Sequence, residues 1–471
     1  MEYKSLKIPC NPYLPSKEHV PDGEPHVFNG KVYVYGSHDV YGSDRYCTGS
    51  YVCWSCPVND LSDWKYEGVI YEKGQDPLDP KGDKDYYAPD VVQGLDKKYY
   101  LYYSMFESYV ISVAVSDSPA GPFKFYGHVK DKSGHILGSA EGDYYQFDPA
   151  LLRDDDDKFY LYSGQDIPIP TIDGRKVMGS MVAELDKDML TIVGEQKTIT
   201  SRAFNCFDEN PFFEASSIRK HNGVYYFIYS SLPNVHYLCY ATSSYPDKDF
   251  EYKGALISNV NIYEKDNEMT KPENAWGNNH GSILFINDDA YIFYHKSSGK
   301  NAFSRVGCVQ KLVRDKHGDF LQAEMTSTGT ADSIEFLGSH PAYSACGLQK
   351  KDMPDFVPFV FFETSEFDPF VAEDDNEDMA YISNINDGAR VIFRYFEAVG
   401  NERSISIRGR AKGEGTIWIL QDGVKIGEVE ISDSVETTKY RGSITPNKGK
   451  SEIILECHDC KELDIFDFEV M

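Results

Sequence analysis

The chain has 471 residues, 41% of them apolar and 14% aromatic, with 35 Tyr and 27 Phe; this excludes a disordered protein and leaves ample material for a large core. Lys and Arg number 47 against 75 Asp and Glu, a formal net charge of −28 that repels phosphate backbones and anionic membranes. No nucleic acid and no membrane is expected as partner, and a neutral ligand is favoured.

In chain order, residues 1–16 (MEYKSLKIPCNPYLPS) hold no continuous apolar run and reach Pro9 early, so neither a leader nor an anchor is expected and a cytoplasmic location follows. Ten cysteines spread over this length are too dilute for a disulfide framework. The two CxxC spacings, Cys53/Cys56 and Cys457/Cys460, lack the second pair or the histidines of a zinc site, so buried thiols are expected.

Between 20 and 330, short apolar-aromatic runs alternate with Gly, Asp and Asn turns, and no helical period is sustained. One pattern returns five times: KVYVYGS at 31–37, KYYLYYS at 98–104, KFYLYSG at 158–164, VYYFIYS at 224–230 and AYIFYHK at 290–296. Each follows a hairpin signal such as Asn29-Gly30 or Asn222-Gly223. Upstream of each stands a polar residue: Asp22, Asp90, Asp148, Glu214 and His280, separated by 68, 58, 66 and 66 residues. The offset to the next strand's first aromatic is eleven residues for four of them and nine for Asp90. A period of this length with several short strands per unit predicts an all-β, five-bladed β-propeller over 1–330.

If the five polar residues begin the innermost strands, they meet at one mouth of the channel. Clustered carboxylates repel and lose hydration there, which a purely structural role does not repay. Taken singly, each would serve equally well as a turn cap. Two carboxylates across a sugar can cleave a glycosidic bond, one protonating the leaving oxygen and the other activating water, while a third tunes the acid. Trp54, Tyr86, Tyr87, Phe106, Phe212, Phe213 and Trp276 are candidate rim aromatics, although packing is the commoner fate of each.

The early Asp22, the YAPD segment at 87–90, FFEASSIRK at 212–220 and NNHGSI at 278–283 together resemble glycoside hydrolase family 43 over about residues 10–330. The resemblance implies a five-bladed propeller that hydrolyses with inversion, its two working carboxyls roughly 6.5–9.5 Å apart. It implies Asp22 as general base, Glu214 as general acid, and Asp90 as the group that holds Glu214 and raises its pKa. His280 corresponds to the family's axial histidine, which helps to hold a calcium or similar cation, usually through waters. Arg305 falls where an arginine often lies near substrate, and Asp148 is expected as a substrate contact or structural residue. Asp22 is followed by Gly23 where Pro is common, so Asp39 is the nearest competitor for the base. No organic cofactor is implied.

The segment 322–329 (QAEMTSTG) reads as the propeller's closing strand, and 331–355 as a linker or strap. From 356 to 471 short alternating strands return, beginning with FVPFVFF at 356–362, and predict a β-sandwich (jelly-roll-like) domain. It resembles family 6 carbohydrate-binding modules in GARVIFRYF and GTIWIL, with Trp418 expected in its core rather than as a sugar platform. The acidic runs 154–157 and 373–378 read as solvated turns.

The expected activity is an exo-acting inverting α-L-arabinofuranosidase on arabinoxylo- or arabino-oligosaccharides. The alternatives are a β-xylosidase and, of another class, a non-catalytic sugar-binding propeller.

Overall fold

Asn29 and Gly30 lie at positive φ (50° and 76°), as do Asn222 and Gly223 (50° and 79°), a turn backbone that matches the twist of two paired strands. Glycine meets this requirement without strain, and Asn tolerates it. In the computed structural model, which describes residues 6–167, 169–199, 210–232, 235–353 and 368–471, such turns join the five repeated aromatic runs to the innermost strands. Those innermost strands are Glu24–Phe28, Tyr86–Gln93, Ala150–Arg153, Phe212–His221 and Ser282–Ile286. Their antiparallel partners are Lys31–Tyr35, Tyr99–Met105, Phe159–Ser163, Val224–Ser231 and Asp289–Ser297.

Each pair founds one blade, and blades 2, 3 and 4 have four strands in simple antiparallel order. Blade 1 gains a fifth from Leu6–Lys7, which pairs with its outer strand Asp63–Tyr71. Five apolar clusters fill the spaces between neighbouring blades. The last brings Val32, Trp54 and Trp64 of blade 1 against Leu284, Phe293 and Val309 of blade 5, so the ring is closed by burial of apolar surface. The N-terminal segment seals the seam: Asn11 donates to the Val309 carbonyl at 2.9 Å, and the Tyr13 N–H to the Gly307 carbonyl at 3.2 Å.

The all-β architecture is thus as the sequence predicts, a five-bladed propeller followed by a curled C-terminal sheet. Three details differ. Residues 322–329 form no strand; Ala323 makes only an isolated bridge to Ile257, while Ser327 turns to the Arg394 carbonyl. The segment 331–355 contributes Ile334–Glu335, Gly338–Pro341 and Gly347–Gln349 to the C-terminal sheet, because alternate residues such as Phe336, Ala342 and Leu348 have that core to enter. Trp418 lies half-buried on the sheet face away from the main core, its ring 3.8 Å from that of His458 with Lys425 Nζ 4.1 Å above. The FVPFVFF run lies outside the described residues.

The C-terminal sheet docks on blade 5 and the N-terminal segment. Val371 N–H reaches the Ser298 carbonyl at 2.6 Å and Lys17 Nζ the carbonyls of Asp374 and Glu377 at 2.8 and 2.7 Å, so the acidic run at 373–378 is a docking loop rather than a free turn. At the centre, buried Arg394 meets Glu273 at 2.6 Å, Glu324 at 3.3 Å and Glu452. Arg394→Met orphans these carboxylates. The expected cost is about 3 kcal/mol, read as a lower midpoint of urea unfolding; an unchanged midpoint would mean that the acids are already solvated.

Candidate active site

Strand period and chain direction stack the channel in layers. Asp22, Asp148, Glu214 and His280 are each eleven residues before the first aromatic of their blade's second strand, and their side chains lie together at one end of the inner strands. The residue with that offset in blade 2 is Ala88. Asp90, nine residues before Tyr99, shares its offset with Glu24 and Ser282, one layer deeper on the same side of the strand.

Three backbone irregularities aim the mouth carboxylates. Asp22 and Asp148 have φ of 58° and 43°, and Ala215 of 65° follows Glu214 inside a register shift of strand Phe212–His221. Such bulges re-aim a side chain off the regular ladder.

Asp22 Oδ1 receives Arg305 Nη1 at 3.0 Å and lies 3.1 Å from His295 Nδ1. Arg305 is 2% exposed. Its Nε and main-chain N–H donate to Asp39 Oδ2 at 2.9 and 3.0 Å, and its Nη2 to Asp39 Oδ1 at 3.0 Å. Asp39 Oδ1 also accepts the Cys47 N–H, so Asp39 is fully spent as the clamp on Arg305 and has no free oxygen to serve as a base. Arg305 itself, expected beside substrate, is turned inward to the two aspartates. Opposite, Glu214 remains partly exposed and accepts from Gln165 Nε2 at 2.6 Å and from the Asn278 side chain.

Asp148, expected as a substrate contact or structural residue, neighbours Glu214: its Oδ2 accepts the Ala215 N–H at 3.1 Å and lies 3.7 Å from His280 Nδ1. Asp90 does not reach Glu214. It is buried in the deeper layer, where it accepts His26 Nε2 at 2.6 Å and the N–H groups of Leu151 and Val91, each at 2.7 Å. The expected Asp90–Glu214 pairing is therefore replaced by Asp148–Glu214, and the physical reason is the two-residue difference in offset.

Burial raises any carboxyl's pKa, and neighbours decide the rest. At Asp22 the Arg305 charge, then the His295 ring, override burial and hold the carboxyl well below the usual range. At Glu214 burial prevails, aided by the Asp22 charge against the Gln165 and Asn278 hydrogen bonds, and lifts the pKa to about 7. Asp148 is raised well above its ordinary value by burial, then by the charges of Glu214 and Asp22. Asp148 and Glu214 together thus retain a proton up to neutrality while Asp22 is ionised.

Burial lowers His280 to about 4, leaving a neutral ring. Its Nε2 lies 3.9 Å from Glu24 Oε1, a buried oxygen without a hydrogen-bond partner. The unpartnered Glu24 oxygen is a donor that fits a hard cation, and the neutral imidazole nitrogen beside it fits one through waters. Glu24, His26 and Asp90 also gather ligand atoms within 4.8 Å, but Arg219 on Glu24 Oε2 and His26 on Asp90 already engage them.

Of the rim aromatics, Trp54, Tyr86, Phe212 and Phe213 are core residues. Trp276 packs edge-on against His236, and Phe106 stands in solvent. Tyr87 remains half-buried, its ring 5.7 Å from Phe147. Tyr46, unremarked in the sequence, covers Arg305 at 4.7 Å, and Gln165, Asn278 and His295 complete the polar wall. None stands out by spacing; only the fold gathers them.

Residues 22–319 match the pattern of Glycosyl hydrolases family 43. Over 445 residues the chain is 43% identical to a xylosidase/arabinosidase of Thermoclostridium stercorarium, covering 92% of this chain and 93% of that one. It is similar to a solved family 43 β-xylosidase/α-arabinofuranosidase from a compost microbial metagenome, in complex with xylotriose, at 28% identity and a TM-score of 0.52, over 68% of this chain and 98% of that one. A solved arabinoxylan arabinofuranohydrolase from Bacillus subtilis, in complex with cellotetraose, shares the fold across 98% of this chain and 97% of its own (TM-score 0.50, 18% identity). With a family match across most of the propeller and 43% identity to a relative over 92% of its length, the chain belongs to glycoside hydrolase family 43 and is a glycoside hydrolase.

Proposed function

We propose that this enzyme is an exo-acting, inverting α-L-arabinofuranosidase that removes single arabinose units from arabinoxylo- or arabino-oligosaccharides. The observation that carries the reading is two carboxyls in opposite settings, Asp22 bound by the buried Arg305 guanidinium and Glu214 facing neutral amides, which holds Asp22 low and lifts Glu214 to about 7. Asp22 is the general base: a carboxylate oxygen takes a proton from water as that water attacks the anomeric carbon. Glu214 is the general acid, giving its proton to the departing glycosidic oxygen. Asp148 holds the Ala215 N–H and shares a proton with Glu214, keeping the acid loaded. Arg305 fixes Asp22 and keeps it ionised. A calcium or similar cation held by His280 through waters, with Glu24 Oε1 beside it, would supply fixed positive charge that offsets carboxylate repulsion.

A β-xylosidase activity is the second reading, favoured by the double name of the relative that is 43% identical. Hydrolysis of 4-nitrophenyl α-L-arabinofuranoside and 4-nitrophenyl β-D-xylopyranoside tests both. The proposal expects the higher kcat/KM on the arabinofuranoside; a clear preference for the xyloside would reverse the order, and release from neither of these nor from arabinoxylo-oligosaccharides would overturn both readings.

A further inference from the structure

His295 is fully buried in the second strand of blade 5, and its ring is held at both nitrogens. Nε2 lies 2.9 Å from the Asn278 main-chain carbonyl, which can only accept, so Nε2 carries hydrogen. Nδ1 lies 3.3 Å from the Asp22 main-chain N and 3.1 Å from Asp22 Oδ1. A neutral ring accepts the Asp22 N–H there, and an imidazolium donates to Oδ1; in either state the ring engages Asp22. The contacts of the Asp22 carboxylate converge on Oδ1, from His295 and from Arg305 Nη1, rather than on Oδ2. The other ionisable groups around this pair are Asp39 behind Arg305 and, across the mouth, His280, Asp148 and Glu214. Asn278 links the two sides, because its carbonyl fixes His295 while its side chain donates to Glu214.

We propose that His295 is a positioning residue for the base: it pins the left-handed main chain and Oδ1 of Asp22 so that Oδ2 alone faces the attacking water. This rests on the reading of Asp22 as the general base. Small displacements of a reacting group cost up to ~10²-fold in rate, so the loss is expected in kcat.

Two substitutions separate the two ends of the ring. In His295→Asn the side-chain amide falls near the Nδ1 position and keeps a partner for Asp22; in His295→Gln it falls near Nε2 and keeps Asn278 instead. With 4-nitrophenyl glycosides, His295→Gln should lower kcat by ~10²-fold with KM little changed, and His295→Asn by less than ~10-fold. The His295→Gln loss should be equal for good and poor leaving groups, since the acid is untouched. The reverse order, or a loss confined to KM, would overturn the proposal and leave His295 as packing. Asp22→Asn is measured beside them. If it keeps near wild-type kcat, the base reading falls and the proposal with it. If it is inactive while both His295 variants behave as wild type, only the His295 proposal falls. In the wild-type protein, ¹⁵N shifts of the His295 ring should report hydrogen on Nε2; a neutral ring protonated at Nδ1 alone contradicts the proposal without any variant having to fold.

Discussion

Glu214→Gln should lower kcat on arabinoxylo-oligosaccharides by ~10²- to 10⁴-fold, the usual range for losing a general acid. The amide keeps the shape and the contacts to Gln165 and Asn278 but has no proton to give. Because only leaving-group departure needs that proton, the loss should shrink on 4-nitrophenyl glycosides and shrink further on 2,4-dinitrophenyl ones. The pH profile carries the second signature. A proton donor works below its pKa, so wild-type kcat/KM should fall as pH rises through about 7, the value to which burial lifts Glu214. In Glu214→Gln that basic limb should vanish. A limb that persists would assign it to another group, and a loss indifferent to the leaving group would remove Glu214 from the acid role.

Asp148→Asn should move the same limb to lower pH and cost kcat/KM at neutrality by ~10²-fold, whereas Asp90→Asn should leave the limb in place. Buried Asp148 lies beside the partly exposed Glu214, and the proton they share is held partly by repulsion between their carboxylates. Neutralising Asp148 removes that repulsion and lets Glu214 ionise earlier, while Asn still accepts the Ala215 N–H. Asp90 faces His26, Leu151 and Val91 and has no such hold on Glu214. Its loss should appear as lower stability, about 1–3 kcal/mol for unpaired buried hydrogen-bonding groups. Should Asp90→Asn move the limb and Asp148→Asn not, the layer assignment of the two aspartates is wrong.

The position of Asp90 was legible in its offset of nine rather than eleven residues. A two-residue difference along a strand keeps the side chain on the same face but one layer deeper, so the spacing already separated Asp90 from the mouth. The blades themselves were legible because each hairpin writes its own pattern: Asn-Gly turns and aromatic runs are local, and burial between blades follows from them. The supports of Asp22 were not legible. Asp39, His295 and Arg305 come together only when blade 1 closes on blade 5, and no periodicity announces a contact between residues some 270 positions apart. The positive φ of Asp22, Asp148 and Ala215 was equally hidden, since it belongs to irregular backbone at the inner strands rather than to any repeat. The C-terminal sheet was readable as strands, but its claim on residues 334–349 was not, because those short runs become strands only through partners that lie about 40 to 130 residues later.

The most direct test of the account is the configuration of the first sugar released. One water deprotonated by Asp22 and one oxygen protonated by Glu214 make a single displacement, so ¹H NMR recorded before mutarotation should show the anomer opposite to that of the substrate, β-L-arabinose from an α-L-arabinofuranoside. Initial release of the same anomer would require a glycosyl intermediate on the protein and would contradict the assignment of Asp22 as a base.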